Sequence, residues 1–239
     1  QTRFWTDSAG IGAFHEPGLM DQDVYFFMKS HGYEEPSADG FGCRGVKLKV
    51  EAGKTATVKI KRVNIAERLY RITGEGIYRD SVLAGLPVPV KNPVLNGKVL
   101  GQDTVAMAEY RGKLFWLWGD TNRPDYPLGN FATSSATSLP PGKGGLDPDV
   151  GVDLTYFVDD SGFSRKMCPL PEPGVVWMGS LVSLPDEKKS ERLVGRWSRL
   201  TGLADLKERG FAIFNDETQK FDKWTTFAAE QNVIPDWQA

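Results

Sequence analysis

Two aspartates, Asp103 and Asp120, are the residues whose type and spacing point most directly to chemistry. Each stands at the outer end of a β-rich run, and the dipeptide Arg111-Gly112 separates the two runs, as in a tight hairpin turn. If that dipeptide is the turn, residues whose numbers sum to 223 face each other, and the two aspartates are such a pair. Because like charges directly opposite in a ladder are destabilising, their pairing favours a use for both carboxylates.

Opposed carboxyl groups favour glycoside hydrolysis, which needs one protonated and one ionised carboxyl group beside the scissile bond. Directly opposed strand residues have Cβ atoms about 4.5–5.5 Å apart, close enough for the two groups to share a proton and for one pKa to rise. The alternative is that each aspartate caps a turn through the neighbouring backbone, which is a common role for aspartate. The sequence leaves both interpretations open.

Aromatic and polar residues next to Asp120 are candidates for binding substrate. Trp116 and Trp118 share one face of their strand, since alternate residues of a strand point the same way. A tryptophan beside carboxylates predicts a platform for a sugar ring, although packing between sheets is the alternative for at least one of them. Asn122 and Arg123 are predicted to donate hydrogen bonds to substrate, and Arg79 or Arg123 would face a uronate if the protein were a polysaccharide lyase.

The hairpin belongs to a longer run of predicted strands over residues 101–239. Four strands form a first group and four more form a second. The first group is Asp103–Tyr110, Lys113–Gly119, Phe131–Ser138 and Val152–Val158, and the second is Val175–Leu184, Arg192–Leu200, Phe211–Asn215 and Phe221–Phe227. Repeated units of four antiparallel strands are typical of propeller blades, so the fold class is predicted to be all-β with blades.

Two blades cannot close a propeller, which needs at least four. The chain is therefore expected to be a fragment, with the remainder of the propeller coming from further sequence or from a partner chain. An ordinary β-sandwich is the alternative.

Residues 1–80 are predicted to form a separate β-sandwich, and residues 81–100 to form a linker. Val46–Val50 and Thr55–Lys61 alternate between apolar and polar side chains, as half-buried antiparallel strands do. The proline tract Pro87–Pro93 is expected to be extended, because the residue before a proline avoids the helical region. A brief helix is predicted over Asn64–Tyr70 from the capping-box spacing at its start.

Two family resemblances rest on short motifs. The runs Thr6-Asp7-Ser8-Ala9-Gly10 and His31-Gly32-Tyr33, with Gly18, resemble the transthyretin-like or carboxypeptidase-regulatory β-sandwich family, which implies an accessory domain. Gly101-Gln102-Asp103 together with Trp118–Arg123 resembles five-bladed propeller glycosidases of the arabinanase, levansucrase and invertase type. That resemblance implies that Asp103 is the first catalytic carboxylate, acting as base or nucleophile, with further acids supplied by later blades.

Composition narrows the function classes. The 239 residues carry a net charge of −2, which excludes a basic footprint for nucleic acid. No apolar run approaches the roughly 20 residues that span a bilayer. Only His15 and His31 are present as histidines, so neither a histidine-based site nor a zinc site is predicted, and no metal or cofactor is expected. Cys43 and Cys168 could form a disulfide or remain two thiols.

These patterns together predict a secreted carbohydrate-active protein, extracellular or periplasmic, in which Asp103 and Asp120 hydrolyse a glycosidic bond. The absence of an initiator methionine before Gln1 adds the expectation that an upstream piece has been removed. The alternative function is a non-catalytic module that binds glycan or protein on a propeller scaffold.

Overall fold

The structure, a computed structural model, describes residues 2–34, 36, 44–65, 71–127 and 131–228. Within these ranges the chain forms fifteen β-strands, one five-residue α-helix and one short 3-10 helix, so the predicted all-β class is confirmed. The chain divides into two compact units, Gln1–Trp5 with Gly12–Tyr70 and Thr6–Ile11 with Arg71–Ala239. None of the helices in the described residues is long and apolar enough to cross a membrane.

The first unit contains a 3-10 helix, Pro17–Leu19, and two short antiparallel strand pairs. The paired strands are β1 (Asp23–Phe26) with β3 (Val46–Lys49) and β2 (Tyr33–Glu34) with β4 (Lys61–Arg62).

Two local sequence predictions fall in this unit, and the structure fully describes the residues of only the first. Of the predicted strand Thr55–Lys61 only Lys61 lies in a strand, because alternation alone makes no strand without a hydrogen-bonded neighbour. The predicted helix Asn64–Tyr70 lies mostly outside the described residues, which resume at Arg71.

The N-terminal stretch Thr6–Ile11 belongs to the second unit, where it holds the first part of the segment that starts at Arg71. Helix α1 (Arg79–Leu83) starts where the Asp7 carboxylate accepts hydrogen bonds from the Ser81 amide (2.7 Å) and hydroxyl (2.6 Å). The other Asp7 oxygen accepts the amides of Ala9 and Ile11, which closes the local turn. The sequence patterns did not reveal this helix, since it is short and has no side-chain N-cap of its own.

The first predicted group of four strands lies within six observed strands: β5 (Gly101–Gln102), β6 (Val105–Tyr110), β7 (Lys113–Trp118), β8 (Thr121–Asn122), β9 (Ser134–Ser138) and β10 (Thr155–Tyr156). Four of them form one antiparallel sheet, in the order β10-β9-β7-β6. The short strands β5 and β8 form a separate pair that extends the β6–β7 hairpin.

The second predicted group also forms one antiparallel sheet, in which consecutive strands are neighbours. The strands are β11 (Val175–Pro185), β12 (Glu191–Leu200), β13 (Leu206–Asn215), β14 (Lys220–Lys223) and β15 (Phe227–Ala228). The fifth strand, β15, pairs with β13, as β14 does. Every sheet in the described residues is open.

The two larger sheets share one apolar core. Phe115 and Leu117 of β7 point into this core and meet Trp197 of β12 and Phe214 of β13. The Phe115 and Phe214 rings meet edge to face with centroids 4.9 Å apart, a favoured aromatic geometry. The opposite face of β7 carries Trp116 and Trp118 into a second cluster, as the predicted alternation requires.

Cys168 lies in the shared core as a buried free thiol. Burial raises the pKa of this thiol to about 12, because the thiolate would lose its hydration. Cys43, the other residue of the possible disulfide, lies outside the described residues.

Candidate functional site

The hairpin adopts the register that places Asp103 opposite Asp120. Strands β6 and β7 pair from Val105 opposite Trp118 to Tyr110 opposite Lys113, so facing residues have numbers that sum to 223 as predicted. Arg111 and Gly112 form the turn with φ angles of 49° and 75°. Positive φ at both central residues is the pattern of a type I′ turn, whose twist matches that of the flanking strands.

The same register continues past the aspartates. Strands β5 and β8 pair Gly101 with Asn122 and Gln102 with Thr121, which keeps the same sum. Between the two ladders the Asp103 amide donates to the Asp120 carbonyl (2.9 Å). The aspartates are therefore cross-strand neighbours joined by a backbone hydrogen bond, between two ladders that keep the same register.

A local kink accommodates the pair. Thr104 has a φ of 52°, a left-handed conformation that is unusual for a β-branched residue. The Gly119 amide donates to the carbonyls of both Asp103 and Thr104, at 3.1 Å each. The kink interrupts the regular pattern of ladder hydrogen bonds at the aspartates. Backbone strain of this kind is enriched at functional sites.

The surroundings of the two carboxyl groups differ. Asp103 is exposed, and its Oδ1 accepts a hydrogen bond from the Thr104 amide (2.7 Å). Asp120 is half-buried, and within the described part of the chain its carboxyl group has no hydrogen-bond partner. Burial, and then the negative charge of Asp103, raise the pKa of Asp120 above its ordinary value. The Asp120 carboxyl group therefore keeps its proton to a higher pH than an ordinary aspartate does.

The contact between Asp103 and the Thr104 amide is the kind of backbone contact that the capping alternative predicts. Asp120 shows no such contact among the described residues. Turn capping thus accounts for one oxygen of Asp103 and leaves the position of Asp120 without a structural explanation.

A polar network supports strands β5 and β8, which adjoin the two aspartates. Gln102 accepts a hydrogen bond from the Tyr156 hydroxyl (2.6 Å) and donates to the Ser134 hydroxyl (2.5 Å). Thr121 and Ser134 are buried and share a hydrogen bond between their hydroxyls (2.7 Å). Burial raises the pKa of the Tyr156 phenol, so this hydroxyl stays a donor. A satisfied buried network of this kind holds its members in one arrangement.

Sequence reasoning missed this network. The only available signal was the position of Gln102 directly before Asp103 and of Thr121 directly after Asp120. Nothing in the sequence connects Ser134 or Tyr156 with that pair, since they reach it from other strands.

The two tryptophans of the predicted aromatic platform, Trp116 and Trp118, differ in exposure. Trp118 is only 3% exposed and packs on Tyr156, with ring centroids 5.6 Å apart. Trp116 is partly exposed, stacks on Trp118 at 6.2 Å, and donates from Nε1 to the Ser138 hydroxyl (2.9 Å). Trp118 thus supports the hairpin from within the fold, and the accessible indole surface belongs to Trp116.

The three polar residues that were predicted to bind substrate lie in different surroundings. Asn122 belongs to β8, and its carbonyl accepts the Leu100 amide (2.8 Å). Arg123 follows it with a side chain only 15% exposed, ion-paired with Asp125 at 3.2 Å. Arg79 begins α1, where its exposed side chain lies 3.5 Å from the Asp80 carboxylate.

Aromatic rings enclose the Arg123 guanidinium. Its central carbon lies over the ring of Phe163 and within 6 Å of the ring centroids of Tyr126 (5.3 Å) and Phe131 (5.7 Å), in the range of cation–π attraction. Its Nε is buried and has no hydrogen-bond partner within the described ranges. These contacts hold Arg123 just beyond the strand that carries Asp120.

Groups of three or more histidine, cysteine or acidic side chains that could hold a metal do not occur in the described residues. Comparisons of the chain with protein-family models, with curated proteins and with solved structures gave no match. Function is therefore inferred from the geometry of the hairpin and its surroundings.

Proposed function

We propose that the protein hydrolyses glycosidic bonds with the Asp103 and Asp120 carboxyl groups. The observation that carries this proposal is the direct cross-strand pairing of the two residues, with the pKa of Asp120 raised beside the charge of Asp103. Glycosidases need this division, in which one carboxyl group keeps a proton and the other is ionised. The half-buried position of Asp120 supplies the environment that favours the protonated form.

In the proposed reaction Asp103 is the ionised group. Its carboxylate either attacks the anomeric carbon, forming an ester that water then hydrolyses, or removes a proton from the attacking water. In both cases the bond from that carbon to the leaving oxygen breaks. Asp120 holds or shares the proton that the leaving oxygen needs, and a further acid from another part of the site remains compatible with this assignment. Trp116 and Arg123 lie close to Asp120 in sequence and form the proposed rim of the substrate site.

We infer that the two larger sheets are the first blades of a propeller of the glycosidase type. Support comes from the consecutive antiparallel order of the main strands in each sheet and from the apolar core that the two sheets share. The remaining blades would come from further sequence or a partner chain. The first unit is proposed to be a β-sandwich accessory domain, and the protein to be extracellular or periplasmic.

A binding module without catalysis is the second candidate function. The hydrogen bond from the Thr104 amide to Asp103 favours it, because a capping aspartate needs no catalytic role to explain it. In that case the partly exposed Trp116 would be the principal contact for a glycan.

The test compares Asp103→Asn and Asp120→Asn with Asp160→Asn in the full-length protein, on a panel of aryl glycosides and polysaccharides. Asp160 is an exposed acid of the same unit and serves as the matched control. We expect kcat to fall by about 10²–10⁴-fold in each hairpin variant, the usual contribution of a general acid or base. Circular dichroism confirms that each variant is folded.

Wild-type kcat in folded Asp103→Asn would show that catalysis does not use this carboxylate. Retained glycan binding by a protein that cleaves none of the panel would favour the binding module instead.

A further inference from the structure

An open cavity of about 460 Å³ lies at the turn end of the hairpin, in the second unit. We name it the turn groove. Its lining includes Lys113 from β7, Phe157 and Arg165 from the segment after β10, and Phe214 and Asp216 around the end of β13. Its volume falls within the range of about 300–1,000 Å³ that is usual for small-molecule sites.

The turn groove is separate from the aspartate pair. Tyr110 and Lys113, the residues next to the turn, line the groove, whereas Asp103 and Asp120 lie at the open end of the same hairpin. A strand rises about 3.3 Å per residue, so the seven steps from Asp103 to Tyr110 correspond to about 23 Å. A ligand in the groove would therefore lie away from the carboxylates.

Positive charge predominates in the turn groove. Its lining includes Arg111, Lys113 and Arg165 against the single acid Asp216. Asp216 is already committed, since it accepts the Tyr110 hydroxyl (2.9 Å) and forms an ion pair with Arg111 (2.8 Å).

The charges of Lys113 and Arg165 remain without an acidic partner within the described ranges. This local excess of positive charge lies in a region, residues 96–239, where acids outnumber bases by 20 to 16. The net charge of the groove lining is therefore positive, whereas the net charge of residues 96–239 as a whole is negative.

Arg165 is held in place by the protein and keeps one end available. Its Nη2 donates to the Gln219 carbonyl (2.9 Å), and its guanidinium carbon lies 5.6 Å from the centroid of the Phe157 ring. Its Nε is buried without a hydrogen-bond partner in the described part of the chain. The Nη1 group thus remains as the donor for a ligand, on a side chain that the fold has already positioned.

Aromatic side chains supply the apolar part of the groove. Phe115 and Phe214 form its floor from the shared core, and Phe157 lies against Phe115 with ring centroids 5.4 Å apart. Mostly apolar walls with a few placed polar groups are the usual composition of a site for a small organic ligand.

We propose that the turn groove binds a small organic anion. Lys113 and Arg165 hold its carboxylate, sulfate or phosphate group through charge-assisted hydrogen bonds, and Phe157 contacts its apolar body. This site does not depend on the proposed hydrolysis of glycosides, because none of its residues belongs to the aspartate pair.

The test uses four probes that share a phenyl ring, namely phenyl phosphate, phenyl sulfate, benzoate and the neutral benzyl alcohol. Isothermal titration calorimetry should give saturable binding of at least one anion with a Kd of about 1 mM or tighter, and no comparable binding of benzyl alcohol. The order of the three anions identifies which oxyanion fits best. Added salt should weaken the binding, since charge attraction contributes to it.

The variant Lys113→Gln should weaken binding of the best anion about tenfold, because a charge-assisted hydrogen bond is lost. Lys113 is exposed, and its side chain makes no hydrogen bond or ion pair among the described residues, so this variant should fold as the wild type does. Arg165→Gln should have the same effect or a larger one, with folding checked by circular dichroism. Lys188→Gln, at an exposed lysine that does not line the groove, is the matched control and should leave Kd unchanged.

Two results would overturn the proposal. One is the absence of saturable binding of all three anions to the wild-type protein. The other is an equal Kd for the best anion in Lys113→Gln and Lys188→Gln, which would place the bound anion elsewhere.

Discussion

The two aspartates of the hairpin differ in chemistry although they occupy equivalent positions across the ladder. Asp103 is exposed and bonded to the adjacent backbone, whereas Asp120 is half-buried and has no hydrogen-bond partner in the described residues. The same register therefore places one exposed carboxyl group opposite one whose pKa is raised. At the scale of single residues, this asymmetry is what the proposed acid and base roles need.

Two substitutions of Asp103 separate its charge repulsion with Asp120 from its hydrogen bond with the Thr104 amide. Asp103→Asn removes the like charge opposite Asp120 and keeps an acceptor for the Thr104 amide, so the free energy of unfolding should stay equal or rise slightly. Asp103→Ala also removes the acceptor and should cost about 1 kcal/mol relative to Asp103→Asn. Urea denaturation measures both values. A large loss of stability in Asp103→Asn would contradict the proposed charge repulsion between Asp103 and Asp120.

The raised pKa of Asp120 predicts how stability depends on pH. In the folded state this group holds its proton above the ordinary pKa of 3.8, so the native protein binds more protons than the unfolded chain there. Its stabilising contribution is full below pH 3.8 and is lost as pH rises through the folded pKa. As pH rises from 3.8 through the folded pKa of Asp120, the free energy of unfolding of the wild type should therefore fall relative to that of Asp120→Asn.

Denaturation of both proteins at a series of pH values measures this difference. Asp160→Asn should follow the wild type at every pH, since Asp160 is exposed. A difference between Asp120→Asn and wild type that does not change with pH would show that the environment of Asp120 is not as described.

At the scale of the elements, the turn determines which residues of the hairpin face each other. Arg111 and Gly112 both adopt positive φ, and a two-residue loop of this type leaves a single register for β6 and β7. The Arg111 amide donates to Glu191 (2.8 Å), which ties the turn to β12. A change in turn conformation would therefore act on the aspartates at the other end of the hairpin.

Gly112→Ala tests the backbone requirement directly. A Cβ at this position would meet no atom within 4 Å, so its effect reports the left-handed φ of 75° alone. We expect a loss of about 1–2 kcal/mol in the free energy of unfolding.

The matched control for that variant is Gly101→Ala, where a Cβ also meets open space but φ is not in the left-handed region. Its free energy of unfolding should not fall. Equal losses in the two alanine variants would contradict the turn assignment.

At the scale of the whole molecule, the shared core between the two larger sheets is the principal source of stability in the second unit. Phe115 from β7, Trp197 from β12 and Phe221 from β14 are all almost fully buried in it. Burying one such side chain contributes about 1.5–3 kcal/mol. Because the hairpin supplies one face of this core, the position of the aspartates depends on the packing of both sheets.

Phe115→Ala should therefore destabilise the protein by about 3–5 kcal/mol, the usual cost of removing a buried aromatic ring. Trp224→Ala is the control in the same unit, since its side chain is 61% exposed, and it should change stability by about 0.5 kcal/mol or less. Thermal unfolding followed by near-ultraviolet circular dichroism measures both. Similar values for the two variants would contradict the described core.

The amino-acid sequence by itself determined the all-β class, the two groups of strands and the register of the hairpin. These features depend on short-range physics, namely the alternation of apolar residues and the conformational freedom of a turn glycine such as Gly112. The boundaries predicted for the accessory domain, the linker and the blade region, at residues 80 and 101, stay predictions beside the two compact units of the structure. Helix α1 escaped sequence reasoning because its anchor, Asp7, is far away in the chain.

Only the tertiary structure decided the chemistry of individual side chains. It buried Trp118 against Tyr156, enclosed the Arg123 guanidinium among aromatic rings, and left Asp120 half-buried beside Asp103. It also brought Lys113, Arg165 and Phe214 together around the turn groove. Burial, pKa shifts and cavities depend on which distant segments pack against each other, and neither periodicity nor local spacing carries that information.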